Sequence, residues 1–355
     1  MTFKLVLKIF GIIAILITIT PIFALDYWWI RIFDFPHTQL TFLTALAILV
    51  YFIKFDFKNE GDYAFVLILV ACFIFQFVKI YPFTLFAGEE LKPSSKNVTT
   101  QISFLTANVY QDNEDTQKII KAIDDSDADV MVLTEANNRW RDVISQAISD
   151  DYKYQIEFPL DNTYGMLLYS KLKLVNPEVK FLINDSIPSI HSKLVITSGD
   201  TIQLYAIHPT PPMPQHNPMS TDRDAEMMLV AKKVIDSKLP VVVLGDFNDV
   251  SWSKTNQLFK RNSMLLDPRI GRGIYSTYNA QKFLLRWPLD HIFCSKEFRL
   301  KDFKTYDETS SDHFPLYAKL SFEPEKASEQ EPESPSESDK KQLQEQLTKI
   351  SKTSD

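Results

Sequence analysis

Val241-Val242-Val243-Leu244-Gly245-Asp246-Phe247-Asn248-Asp249 decides the reading of this chain. Four apolar residues, three of them β-branched, run into a glycine, a carboxylate and an amide. The run is short, continuous and preceded by Pro240, the signature of a buried strand. Its polar end reads two ways. Asp246 and Asn248 are two apart and share one side of an extended backbone, with Phe247 on the other. A carboxylate beside an amide is then an acid–base group next to a hydrogen-bond donor for a developing oxyanion. Alternatively, Gly-Asp-x-Asn-Asp makes an Asx-type turn after the strand.

The flanking sequence repeats the theme of strands that end in polar residues. Upstream, Asp222 to Ile235 predicts an amphipathic helix with Thr221 as its cap. Before it come short strands at Tyr154–Phe158, Gly165–Tyr169, Glu178–Leu182, Ser192–Ile196 and Ile202–Ile207, the last ending in His208-Pro209. Further back, Ile102–Val109 reads as a strand carrying Asn108, and Asp129–Thr134 as a strand ending in Glu135. Helices are expected at Glu114–Asp125 and Asn138–Ile148. Downstream come a short helix at Lys254–Arg261, a strand at Pro288–Phe293 carrying Asp290 and His291, and a last strand at Phe314–Phe322 after Ser311-Asp312-His313. Many strands with helices between some of them predict two packed sheets with helices outside, an α/β sandwich. Each polar strand end has a plain structural explanation: a turn, a helix cap, a surface histidine. Five such ends, from distant parts of the chain, converge only at a common rim, which is where a site would be.

The two ends of the chain differ from this middle. Three apolar runs, Leu5–Leu25, Leu40–Phe55 and Tyr63–Tyr81, approach the ~20 residues that cross a bilayer. A cleaved signal peptide is the alternative for the first, but no small-x-small site precedes Asp26 and two further runs follow. Lys4 and Lys8 before the first run, and Lys54 and Lys58 in the second loop, place those segments inside. The first loop, with Tyr27, Trp28 and Trp29, and everything after Phe86 then lie outside. The expected division is a membrane segment over 1–87, a linker over 88–100, a folded domain over 101–322 and a polar tail over 323–355. The net charge is −7, and the tail supplies −4 of it. That tail cannot bury a core and is expected to be disordered, with a transient helix near Gln342–Ile350. The mildly acidic balance argues against non-specific binding to duplex nucleic acid. Cys72 and Cys294 imply no disulfide framework, and a zinc-finger site lacks ligands.

In order, Asn108, Leu133-Thr134-Glu135, His208, Gly245-Asp246-Phe247-Asn248, Leu289-Asp290-His291-Ile292-Phe293 and Ser311-Asp312-His313 resemble the endonuclease/exonuclease/phosphatase superfamily. The resemblance covers roughly Gln101 to Phe322, and the Gly-Asp-Phe-Asn and Ser-Asp-His segments are its specific parts. The leading apolar runs and His208-Pro209-x-Pro211-Pro212 are similar to bacterial membrane-anchored members. The resemblance implies a DNase I-like, four-layer α/β/β/α sandwich, and a phosphoric ester hydrolase that uses Mg²⁺, with Mn²⁺ as the alternative ion. By the same resemblance Glu135 is the principal metal ligand, with Asn108 and Asp312 near the metal. Asp246 would orient or deprotonate the attacking water, and Asn248 would hold a non-bridging oxygen. His313, steadied by Asp290, and His208 would contact the phosphate. One departure stands out: relatives often carry a second asparagine two residues after the first, where this chain has Tyr110. Arg223 and Arg286 read either as phosphate contacts or as solvated arginines.

The leading expectation is therefore an integral membrane phosphoesterase, in a bacterial inner membrane with its catalytic domain on the outer (periplasmic or extracellular) side. Its partners would be the bilayer and a phosphate ester, either a phospholipid headgroup, a small diester or nucleic acid, with no obligate protein partner. A catalytically silent binding module on the same fold is the alternative from another class. A transporter made by the helices is a third, weakened by the lack of mid-membrane carboxylates.

Overall fold

The computed structural model describes residues 2–23, 26–215 and 217–353. It opens with α1 (Phe3–Ile19), the short α2 (Trp28–Arg31), α3 (His37–Tyr51) and α4 (Glu60–Ile80). With their terminal 3₁₀ turns, Phe3–Phe23, His37–Lys54 and Glu60–Phe83 are each long and apolar enough to cross a membrane. Ala24 and Leu25, which close the first apolar run, lie outside the described residues. Small side chains let the helices approach: Ala14 and Ala47 pack with Leu69, while Leu16, Leu49 and Leu67 face outward and exposed. The charged end of this bundle gathers Lys4, Lys8 and Asp62, whose carboxylate also accepts from Tyr51 Oη at 2.9 Å.

The rest of the chain forms β1 (Gln101–Asn108), α5 (Thr116–Ser126), β2 (Val130–Thr134), α6 (Asn138–Ala147), β3 (Tyr154–Phe158) and β4 (Met166–Ser170). Then come β5 (Lys173–Phe181), β6 (Pro188–Val195), β7 (Thr201–Ile207), α7 (Thr221–Asp236), β8 (Val241–Asp246) and α8 (Lys254–Ser263). The series closes with β9 (Asp290–Cys294), β10 (Phe298–Thr305), β11 (Leu316–Phe322) and α9 (Glu337–Thr353). One sheet runs β10-β11-β1-β2-β4-β3 and the other β5-β6-β7-β8-β9.

Alternation along the strands builds the layers. On β8, Val242 and Leu244 face the other sheet and meet Phe104, Val132 and Ile292. Val241 and Val243 face outward and are covered by Met227 and Val230 of α7 and Phe259 of α8. On the opposite outer face, Ile119 and Ile123 of α5 and Trp140 and Ile144 of α6 cover Leu105, Met131 and Leu133. Each fully buried Val or Leu contributes about 1.5–3 kcal/mol. The result is the expected α/β/β/α sandwich.

Two parallel pairs set up the rim. β1 runs beside β2 with Asn108 opposite Thr134, and β7 runs beside β8 with Ile207 opposite Gly245. β9 is antiparallel to β8, with Asp246 opposite Asp290. The parallel strands thus end together, and their last residues come out at one edge.

Several expectations need correction. Thr221 lies inside α7 rather than capping it; Ser220 holds the cap position. β10 was not foreseen, because Lys301 and Asp302 interrupt its alternation at a bulge between Leu300 and Asp302. Residues 88–100 do not form a free linker. Leu91 is fully buried, Ser94 N–H donates to Leu300 O at 2.7 Å, and Leu300 N–H donates to Lys92 O at 2.9 Å. The tail is likewise packed rather than disordered. Leu343 of α9 joins the cluster over β8, Leu347 packs beside it, and Arg261 pairs with Asp339 at 2.8 Å. Residues 354–355 of that tail lie outside the described residues.

Candidate active site

Gly245 makes the central approach possible. It holds φ +136°, a conformation that side chains avoid, and a Cβ there would collide with the Ile207 carbonyl of the parallel neighbour. The next residue, Asp246, is 1% exposed. Its two oxygens do different work. Oδ1 accepts the Asn248 N–H at 2.9 Å, and Oδ2 accepts Asn108 Nδ2 at 3.0 Å. The Asx turn and the site are therefore both real: one oxygen closes the turn and the other faces the rim.

Asn248 is not on extended backbone, as the two-residue spacing suggested. β8 ends at Asp246, and Asn248 sits at φ +51°. Its side chain donates to Pro209 O at 3.0 Å, which ties the turn to the His208-Pro209 segment. Glu135 also holds a left-handed backbone, at φ +60°. The helix after it is capped by Asn137, whose side chain accepts from Trp140 N–H at 3.1 Å, so Glu135 is not spent as a cap.

Asn108 bridges two acids: its Nδ2 donates to Glu135 Oε1 at 2.8 Å as well as to Asp246. Burial, with Asp312 and Asp246 close by, pushes the Glu135 carboxyl up to about 7. Asp312 is raised too, by burial and by Asp246, and its Oδ1 is buried without a hydrogen-bond partner in the protein. Tyr110, where relatives often carry an asparagine, turns away at 38% exposure, and only its N–H engages Asn108.

Two histidines flank Asp246, with His208 Nε2 and His313 Nε2 each 3.7 Å from Oδ2. His313 Nδ1 lies 2.7 Å from Asp290 Oδ2. Burial disfavours charge on His313, but Asp290 and Asp246 outweigh it and push the imidazole up to about 10. The ring is flanked by Tyr278 at 5.0 Å. His291, adjacent to Asp290, points the other way, as strand alternation requires. It sits in the outer layer with its Nδ1 3.1 Å from Arg269 and its Nε2 2.9 Å from Asp249 O.

All eight candidates thus lie at this rim: Asn108, Glu135, His208, Asp246, Asn248, Asp290, Asp312 and His313. The arginines do not behave as expected. Arg223 is neither solvated nor at the rim; it is 1% exposed and bonds Asp224 and the Asn248 carbonyl. Arg286 lies over the rings of Phe283 and Phe314 and donates to Ala280 O at 3.1 Å.

Asp246, Asp290 and His313 each place a ligand atom within 4.8 Å of the others. His313 is the weaker member of that group, because its Nδ1 is already engaged by Asp290. The donors around Glu135 suit a hard cation better. Three buried or half-buried acids crowd around an amide, the Glu135 and Asp312 carboxyls are pushed upward by burial and by the nearby Asp246, and one oxygen lacks a partner. The residues present fit a divalent ion.

Residues 105–313 match the Endonuclease/Exonuclease/phosphatase family. Among curated proteins none matches. Several solved structures share the fold. An endonuclease/exonuclease/phosphatase from Beutenbergia cavernae superposes with a TM-score of 0.51 at 15% identity, covering 63% of this chain and 72% of that one. D. rerio TDP2 complexed with single strand DNA product gives 0.52 at 15% identity, covering 62% and 98%. The human Nocturnin catalytic domain with bound sulfate anion gives 0.50 at 18% identity, covering 62% and 94%. The family match spans more than half of the chain: the chain belongs to the Endonuclease/Exonuclease/phosphatase family of phosphoric ester hydrolases.

Proposed function

We propose that this protein is a membrane-anchored, Mg²⁺-dependent phosphodiesterase, facing outward, whose substrate is a phosphodiester presented at the membrane surface. The observation that carries the chemistry is the rim itself, where Glu135, Asp246, Asp312, Asn108 and two histidines converge. Glu135, with Asn108 and Asp312, would hold the ion; when bound, it supplies charge neutralisation at the phosphate. Asp246 takes the proton of the attacking water through Oδ2, the oxygen not committed to the turn. His313, kept charged by Asp290, and His208 on the other side of Asp246 stabilise the phosphoryl oxygens as charge builds. Asn248 offers its second amide N–H to a non-bridging oxygen.

The surroundings favour a lipid headgroup over nucleic acid. The loop over Asn279–Arg286 exposes Phe283 at 78% and Leu284 at 76%. Its base holds the site: Ala280 N–H donates to Asp312 O at 2.7 Å. Its tip meets the first turn of α3, where Gln39 donates to Leu284 O at 3.0 Å and accepts from Trp287 Nε1 at 3.3 Å. An apolar loop beside the start of a spanning helix belongs at the headgroup level. The test uses the full chain with phosphatidylcholine vesicles and a soluble bis-aryl diester. Phe283→Asp should cut headgroup release about 10-fold or more, each lost anchor side chain being worth ~1.5–3 kcal/mol, and leave the soluble diester untouched. Equal loss on both substrates would contradict a lipid-facing rim, and preferential cleavage of an oligonucleotide would favour the nuclease reading.

A further inference from the structure

We propose that Arg31, in the loop between the first two spans, is a positioning residue of the catalytic site, acting on Asn248 through Asp224 and Arg223. This rests on the phosphodiesterase reading above for its kinetic test, but its geometry stands alone. Arg31 is 4% exposed, and its Nη2 donates to Asp224 Oδ2 at 2.8 Å across 193 residues of sequence. Asp224 is fully buried; its Oδ1 accepts Arg223 Nε at 3.0 Å and Nη2 at 2.8 Å. Arg223 then donates through Nη1 to the Asn248 carbonyl at 2.9 Å and lies 3.3 Å from Asp249 Oδ1. The relay ends on the turn whose N–H closes onto Asp246.

A left-handed residue persists only where its surroundings over-determine it. Arg223 is one of those surroundings, and its direction depends on Asp224 being shared. With Arg31 in place, each oxygen of Asp224 has its own guanidinium, which leaves Arg223 Nη1 for Asn248. Without Arg31, Asp224 Oδ2 keeps only the Ser220 hydroxyl at 3.0 Å and loses its charged partner, and Arg223 is drawn toward that oxygen. The loop that presents Arg31 is itself pinned to the domain. Trp28 N–H donates to Pro218 O at 2.9 Å, Ser220 N–H to Asp26 O at 2.7 Å, and Trp252 Nε1 to Asp34 O at 2.7 Å. The membrane segment is in this way a part of the active site and not only its tether.

The test compares Arg31→Ala, Arg31→Lys and Lys349→Ala in the full reconstituted chain, with the bis-aryl diester and Mg²⁺. Lys349 pairs with Asp26 of the same loop at 2.6 Å and controls for the loss of a charge beside the loop that does not touch Asp224. A misplacement of about 1 Å costs up to about 100-fold in rate. Arg31→Ala should therefore lower kcat about 10- to 100-fold with little change in KM, Arg31→Lys should recover part of it, and Lys349→Ala should not alter kcat. In an Asn248→Ala background, Arg31→Ala should add almost no further loss. Hydrogen exchange of the Asn248 and Asp249 amides should quicken in Arg31→Ala even in a chain without measurable turnover, which separates this claim from the phosphodiesterase reading. Equal fold-losses in both backgrounds, or unchanged exchange at those amides, would overturn it and reduce Arg31 to a docking contact.

Discussion

Glu135 and Asn248 both hold backbone conformations that cost about 1–3 kcal/mol, and both carry side chains of the rim. At the scale of single residues the site is a set of shared partners: Asn108 between two acids, Asp246 between two histidines, His313 between two carboxylates. The last arrangement has a titratable consequence. His313 binds its proton more tightly folded than unfolded, so its stabilisation is complete below about 6.5 and lost as pH rises through about 10. Asp290→Asn removes the largest charge holding that proton. It should move the His313 titration, followed by imidazole NMR, down toward the ordinary range near 6.5, and the alkaline limb of activity should move with it. A titration unchanged by Asp290→Asn would contradict the pairing. The residue types of the rim were legible in the sequence, because strand ends put them there. The left-handed turn at Asn248 was not, since period-2 spacing assumes that the strand continues. Nor was Arg223, where a charge alone does not reveal that three acceptors lie within its reach.

At the scale of elements, the strong patterns were readable and the interrupted ones were not. The Val241–Leu244 run and the α7 face gave their positions directly. β10 escaped because an edge strand with a bulge and two exposed charges loses its alternation. The tail shows how composition misleads. It is polar enough to suggest disorder, yet Leu343 and Leu347, four apart, form one helix face that covers apolar side chains over β8. Leu343 is 9% exposed, and Leu343→Ala should cost about 1–3 kcal/mol in thermal unfolding. A change within about 0.5 kcal/mol, the usual value for a solvated position, would mean that α9 is not docked in solution.

At the scale of the whole molecule, Lys4 and Lys8 lie at one end of the apolar helices and the folded domain at the other, where Arg31 and Lys79 are paired with acids. Lys4 and Lys8 meet Asp62 at one end, while Asp26, Arg31, Asp34 and Phe83 meet the domain at the other. The outward orientation proposed above rests on the positive-inside rule applied to Lys4 and Lys8. Both native cysteines are buried, so single introduced cysteines can report sidedness. In intact cells an impermeant maleimide should label Lys153→Cys and spare Lys58→Cys, both positions being exposed in the fold; the reverse pattern would invert the topology. The three helices long and apolar enough to cross a membrane were plain in the sequence as long apolar runs. Their engagement with the site was not, because a loop of mixed aromatic and charged residues carries no sign of what it docks against.

The most direct measurement is turnover of a bis-aryl phosphodiester by the full chain in vesicles, with Mg²⁺ and with chelator, for the native protein and Asp246→Asn. Metal-dependent hydrolysis that falls about 10²- to 10⁴-fold in Asp246→Asn is the predicted result. Hydrolysis that survives chelation or the substitution would contradict the assignment of this rim as a metal-assisted phosphodiesterase site.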